Sequence, residues 1–137
     1  MWHTTISPGN NCSRINKMNI KKLIHSFRYA FEGLKLAVSV DQNVRFHIIV
    51  GLLVIPIAIL LKVSSFEFIF IIFSIFFVLI TEMMNTAVEE MTNLIIKEHR
   101  EEARIAKDVA AAAVLLSAVF ALIVGIIILI PRLLAIL

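Results

Sequence analysis

The chain has 137 residues, enough for one domain and too few for two ordinary ones. Hydrophobic residues make up 60% and the mean hydropathy is +0.95, more apolar side chain than a soluble domain of this size can hide, so an integral membrane protein is predicted. The net charge of +3 comes without the aromatic-basic interleaving of single-strand binders, so we read it as membrane orientation and expect no nucleic-acid partner; the single Cys12 excludes an intrachain disulfide and a cysteine metal cluster.

Residues 1–18 are rich in Asn, Ser, Thr and His, contain Pro8-Gly9 and lack the apolar core of a signal peptide, so a disordered tail is expected, with Met18 as the natural start of translation. Residues 19–137 form the expected membrane domain. From 19 to 38, Ile20, Leu23, Ile24, Phe27, Ala30, Phe31, Leu34 and Val38 recur at helical spacing, with Lys21, Lys22, His25, Arg28, Glu32 and Lys35 on the other side. This predicts an amphipathic surface helix. Its cationic face suits anionic headgroups, while its apolar face fits either the interface or neighbouring helices.

A polar neck, Ser39 to His47, leads into the first span, 46–62, whose apolar stretch Ile48 to Leu61 is short, with Phe46, His47 and the stem of Lys62 extending it. Pro56 is tolerated where neighbours satisfy the freed carbonyl. After a short turn the second span, 66–88, carries only Glu67 and Glu82 as charges. A charged cytoplasmic helix or loop, 89–108, follows, and the third span, 109–131, is uncharged from Val109 to Ile130. That run rules out a soluble bundle. The fold class expected is therefore an all-α membrane protein with a surface helix and three transmembrane helices.

Basic residues cluster before the first span (Arg14, Lys17, Lys21, Lys22, Arg28, Lys35, Arg45) and between the second and third (Lys97, Arg100, Arg104, Lys107), against Lys62 and Arg132 on the other flanks. The positive-inside rule places the N-terminus and the charged connection in the cytoplasm. Asp41, Glu82, Asn85, Glu89, Glu98, Lys107 and Asp108 then gather where a soluble phosphate donor and a lipid headgroup can both reach.

The central stretch is Glu82-Met83-Met84-Asn85-Thr86-Ala87-Val88-Glu89. At about 100° per residue, Glu82, Asn85, Thr86, Glu89 and Asn93 share one narrow helical sector. Paired acids about one turn beyond the hydrocarbon are costly unless a positive charge sits between them. Two carboxylates suit Mg²⁺ bridging nucleotide phosphates, and a third, partly desolvated, is a better proton acceptor for an attacking hydroxyl. The pattern fits phosphoryl transfer onto a lipid; read without further knowledge it fits interhelical polar contacts as well.

The same octet, followed by Ala106-Lys107-Asp108 and an alanine-rich last span, closely resembles the small bacterial membrane lipid kinases, the prokaryotic diacylglycerol kinase family, over about Asn19 to Arg132. The resemblance implies three transmembrane helices with a surface helix, a homotrimer in the bacterial cytoplasmic membrane, and ATP with Mg²⁺ as cofactors. It implies Glu82 as the general base and Asn85 as its positioning partner. Glu89 and Asp41 become the metal ligands, and Tyr29, Glu89, Glu98, Lys107 and Asp108 the nucleotide site. Asp41 stands where the family usually has a glutamate, and Asn93 where an acid is common, so Asn93 is assigned no site role. Lys107 as a snorkelling flank, Tyr29 as an interfacial aromatic and His47 as an interfacial hydrogen bonder stay open beside these roles. The neck Asn43-Val44-Arg45-Phe46-His47 and the ending Gly125 to Arg132 look more like the members associated with undecaprenol, which favours that lipid over diacylglycerol. The rival from another class is a non-enzymatic membrane scaffold or channel subunit, with Glu82 and Glu89 lining an interface.

Overall fold

In a computed structural model of the chain, the residues described are 20–95 and 101–136, without the side chains of Lys21 and Ile95. The expected tail, residues 1–18, lies outside them. Four helices account for the secondary structure of the described residues: α1 (Ile20–Val40), α2 (Gln42–Leu60), α3 (Ser65–Ile95) and α4 (Glu101–Leu134). The last three are long and apolar enough to cross a membrane.

The chain divides into two units at Lys35. In the first, α1 presents Ile20, Leu23, Ile24, Phe27 and Phe31 as an exposed apolar stripe, and Arg28 pairs with Glu32 at 2.8 Å, one turn away. The second unit, Leu36–Leu137, begins with the last residues of α1. Arg45 donates to Val38 O (3.1 Å) and Ser39 O (3.0 Å), capping carbonyls that a helix end leaves without partners. Asp41, extended at φ −100° and ψ 122°, then starts α2 as its N-cap, accepting from Asn43 N at 2.7 Å.

Helix α3 is central, packing on both α4 and α2. Ala58, Ile71 and Ile128, one from each span, form the buried core, with Val54, Val63, Phe68, Ile75, Val124 and Leu129 around them. Gly51 sets the approach of α2 to α3, since a Cβ there would lie 2.8 Å from Ile75 Cγ2, on a β-branched side chain with little freedom to yield. Between α3 and α4, Phe120 meets Phe73 and Phe77 edge to face, and the Thr81 and Ser117 hydroxyls bond at 2.7 Å.

The α2–α3 turn is closed by local chemistry. Lys62 takes the left-handed conformation (φ 51°), its N–H donates to Ile59 O (3.0 Å) and that of Val63 to Ala58 O (3.2 Å), completing a Schellman motif. Ser64 and Glu67 then make a capping box: Ser64 N donates to Glu67 Oε2 at 2.7 Å, and Glu67 N approaches Ser64 Oγ at 3.4 Å. Arg132 of α4 donates to Lys62 O at 2.7 Å and forms an ion pair with Glu67.

The helices run on beyond the expected spans. α3 continues to Ile95 and α4 starts at Glu101, so most of 89–108 extends the two spans.

Candidate functional site

The predicted polar sector lies on α3, and burial divides it. Glu82 (2% exposed) and Asn85 (7%) are buried, Thr86 is half-buried, and Glu89 and Asn93 are exposed. The division follows from the packing of α2, whose first two turns cover Glu82 and leave Glu89 beyond reach.

Two side chains of the neck meet this face. Thr86 Oγ1 donates to Asp41 Oδ2 at 2.5 Å, so one carboxylate both caps α2 and ties it to α3. The cap gives a physical reason for aspartate rather than glutamate here, because the shorter side chain reaches the N–H two residues on. Two turns along α2, His47 Nε2 stands 3.3 Å from Glu82 Oε1, with the imidazole largely and the carboxylate almost wholly withdrawn from solvent.

Among the described residues, two buried side-chain oxygens lack a hydrogen-bond partner: Glu82 Oε2 and Asn85 Oδ1. They lie one turn apart on the same face of α3. Buried polar atoms in folded proteins are nearly always paired, and a low-dielectric membrane protein has more to lose from leaving them so. Two acceptors without donors suit a hydroxyl or a cation. A cavity of about 490 Å³ opens between the spans, with Phe46 and His47 at one end and apolar walls from Val50, Val54, Ile71, Val78 and Leu122. It has room for a lipid tail or a neighbouring side-chain layer.

Beside the His47 nitrogen and the Thr86 hydroxyl, this face offers the oxygens of carboxylates and an amide, the ligand type that Mg²⁺ prefers. Among the described residues no three His, Cys, Asp or Glu side chains converge as a ready metal cage. Mg²⁺ held together with a nucleotide needs only one or two protein carboxylates, the rest of its shell being water and phosphate.

The other sequence candidates sit elsewhere. Lys107, half-buried on α4, donates to Asn93 Oδ1 at 2.7 Å, which gives Asn93 a contact with a site candidate that the sequence did not suggest. Asp108 is exposed and paired with Arg104 at 3.3 Å, while Arg104 also holds Glu101. Tyr29 belongs to the N-terminal unit, exposed, with its ring centroid 6.4 Å from that of His25. Glu98 lies outside the described residues. The Thr86 and His47 contacts escape sequence reasoning as pairings. Thr86 is visible on the polar sector, but nothing local says which neck residue it meets.

Comparison with known proteins adds an independent line. The family described as Prokaryotic diacylglycerol kinase matches residues 28–129. A diacylglycerol kinase of Synechocystis is 40% identical over 114 residues, 82% of this chain and 65% of the relative, so this chain spans about two thirds of that protein. An undecaprenol kinase of Bacillus subtilis is 31% identical over 121 residues, covering 88% of this chain and 98% of the relative. A diacylglycerol kinase of Escherichia coli is 31% identical over 108 residues, 79% of this chain and 88% of the relative. The match to the family takes in the neck, the Glu82–Glu89 face and the Lys107-Asp108 pair.

Proposed function

This chain belongs to the prokaryotic diacylglycerol kinase family of membrane lipid kinases, and from that premise we propose that it transfers the γ-phosphate of ATP to the primary hydroxyl of undecaprenol at the cytoplasmic face of the bacterial membrane. The observation that carries the reading is Glu82, a buried carboxylate with one oxygen 3.3 Å from His47 Nε2 and the other unpartnered among the described residues. A lipid alcohol donating to Glu82 Oε2 would satisfy that atom and lose its proton along the same bond, leaving its oxygen as the nucleophile. Asn85, one turn on, positions the hydroxyl or an oxygen of the phosphate. Asp41 and Glu89 are the residues that would hold Mg²⁺, which would offset the charge on the phosphates. Lys107 supplies a further positive charge to the nucleotide, with Tyr29, Glu98 and Asp108 as its other contacts. A homotrimer is the expected assembly.

Undecaprenol is favoured by the neck through His47 and by the near-complete coverage of the Bacillus subtilis relative. Diacylglycerol is the second reading, on the 40% identity to the Synechocystis relative. Radiolabelled ATP offered with each lipid in detergent decides between them. Label in undecaprenol alone is the expected result, and label in neither lipid removes the kinase reading. Glu89→Gln is expected to raise the Mg²⁺ concentration needed for half-maximal transfer; an unchanged metal titration removes Glu89 from the metal site. A scaffold or channel subunit, the rival class, predicts that ATP with Mg²⁺ leaves the melting temperature unchanged, whereas binding to the native state raises it.

A further inference from the structure

We propose that His47 is a positioning residue for the base: its Nε2–H holds Glu82 Oε1, so that Oε2 is the oxygen presented to the lipid hydroxyl. The inference rests on the kinase reading and adds to it a residue and an atom-level division of work. Glu82 is 2% exposed, and His47 Nε2 approaches its Oε1 to 3.3 Å, an ion-pair distance, while Oε2 has no hydrogen-bond partner among the described residues. A carboxylate on a flexible glutamate stem has two equivalent oxygens. Tying one of them fixes the plane and removes the rotation that would otherwise have to be frozen as the substrate binds.

The surroundings of His47 support an oriented donor. Its ring packs edge to face against Phe46, with centroids 5.5 Å apart, and both residues lie at one end of the cavity between the spans. The imidazole thus touches the base with one edge and borders the apolar space with the rest of its ring. An alcohol reaching Glu82 by way of that cavity would pass His47. The rival is an ordinary interhelical hydrogen bond holding α2 to α3, yet other contacts already hold those helices together, Thr86 to Asp41 on the polar side and Gly51 against Ile75 within the membrane.

The test uses the full chain in detergent with radiolabelled ATP and the lipid that the wild-type protein phosphorylates. His47→Gln places an amide N–H near the Nε2 position, whereas His47→Asn offers one only near Nδ1. We expect His47→Gln to keep kcat within about threefold of wild type, and His47→Asn and His47→Leu to lower it roughly 10- to 100-fold with the KM for ATP unchanged. In a Glu82→Gln background, His47→Leu should cost less than about twofold more, because a residue acting through another loses its effect when that other is gone. The inference is overturned by equal activity of the Gln and Asn variants, by losses that multiply in the double variant, or by an effect confined to the melting temperature. Should His47→Leu not fold, the contrast between the Gln and Asn variants decides. No transfer by the wild-type protein to either lipid overturns the kinase reading, and His47's role with it; an active wild type with multiplying losses overturns only the latter.

Discussion

The two ends of the three-span bundle treat their acids in opposite ways. At the α2–α3 turn, Glu67 Oε2 accepts from Ser64 N, Ser64 Oγ and Arg132, and the other arm of Arg132 reaches the carbonyl of Lys62. At the neck end, Glu82 is more deeply buried, meets one histidine, and keeps an oxygen that has no partner among the described residues, as does Asn85 beside it. Glu67 is built into the fold and Glu82 is left open to chemistry. In a bilayer an unpaired polar group costs several kcal/mol, on the order of a substantial part of the stability of a whole domain. Under-pairing at one end of a bundle that is well paired at the other is the difference on which the proposed role of Glu82 as the base rests.

Substituting the acid at the neck end tests this contrast most severely. Glu82→Gln is expected to lower lipid phosphorylation by roughly 10²- to 10⁴-fold, because an amide cannot accept the proton. Its melting temperature in detergent should stay level or rise, since a buried charge with an unpaired oxygen gives way to a neutral group. Near-normal turnover would erase the distinction between the two ends.

Arg132→Leu applies the same logic to the turn end with the reverse signature. It strips Glu67 of its countercharge and the α2 carboxyl end of a donor, and should lower the melting temperature in detergent while the folded protein keeps its turnover. Lost activity without lost stability would mean that the two ends are coupled through the spans.

Much of this fold is legible in the sequence, because hydropathy and the 3.6-residue period report burial within a single helix. The helix ends are not. The expected second span stops at 88, where charge begins, yet Glu89 and Glu90 are good helix formers and α3 continues through them to Ile95; Glu101, Arg104 and Asp108 likewise hold the start of α4 by pairs one turn apart. Hydropathy marks the membrane, not the end of the helix. The Ser64-x-x-Glu67 box is a local signal that a hydropathy reading hides, because it treats Glu67 as a stray charge in a span. Within the site, Glu82, Asn85 and Glu89 follow from spacing along one helix. The contacts of Thr86 with Asp41 and of His47 with Glu82 depend on how α2 is set against α3, a register that Gly51 fixes by shape and that no residue announces in sequence. In sequence His47 therefore looks like one more interfacial side chain, its approach to Glu82 being visible only across two helices.

The smallest effect expected is at Lys62, where the turn end still carries some strain. Its φ of 51° is the left-handed region, which places a Cβ against the following carbonyl and costs an L-residue about 1–2 kcal/mol. The Schellman bonds of Lys62 and Val63 hold it there, and both are made by backbone N–H groups, so a side chain is not needed to keep them. Glycine at this position removes the clash but gives the unfolded chain more freedom, which returns about 0.4–1 kcal/mol of the gain. Lys62→Gly is therefore expected to stabilise the protein by about 0.5 kcal/mol in thermal melts, with lipid phosphorylation unchanged. Lys62→Val, β-branched at the same φ, should move the melting temperature in the opposite direction. A lower melting temperature for the glycine variant would show that the lysine stem contributes more at the membrane interface than its backbone conformation costs, and the turn end would then depend on its side chains throughout.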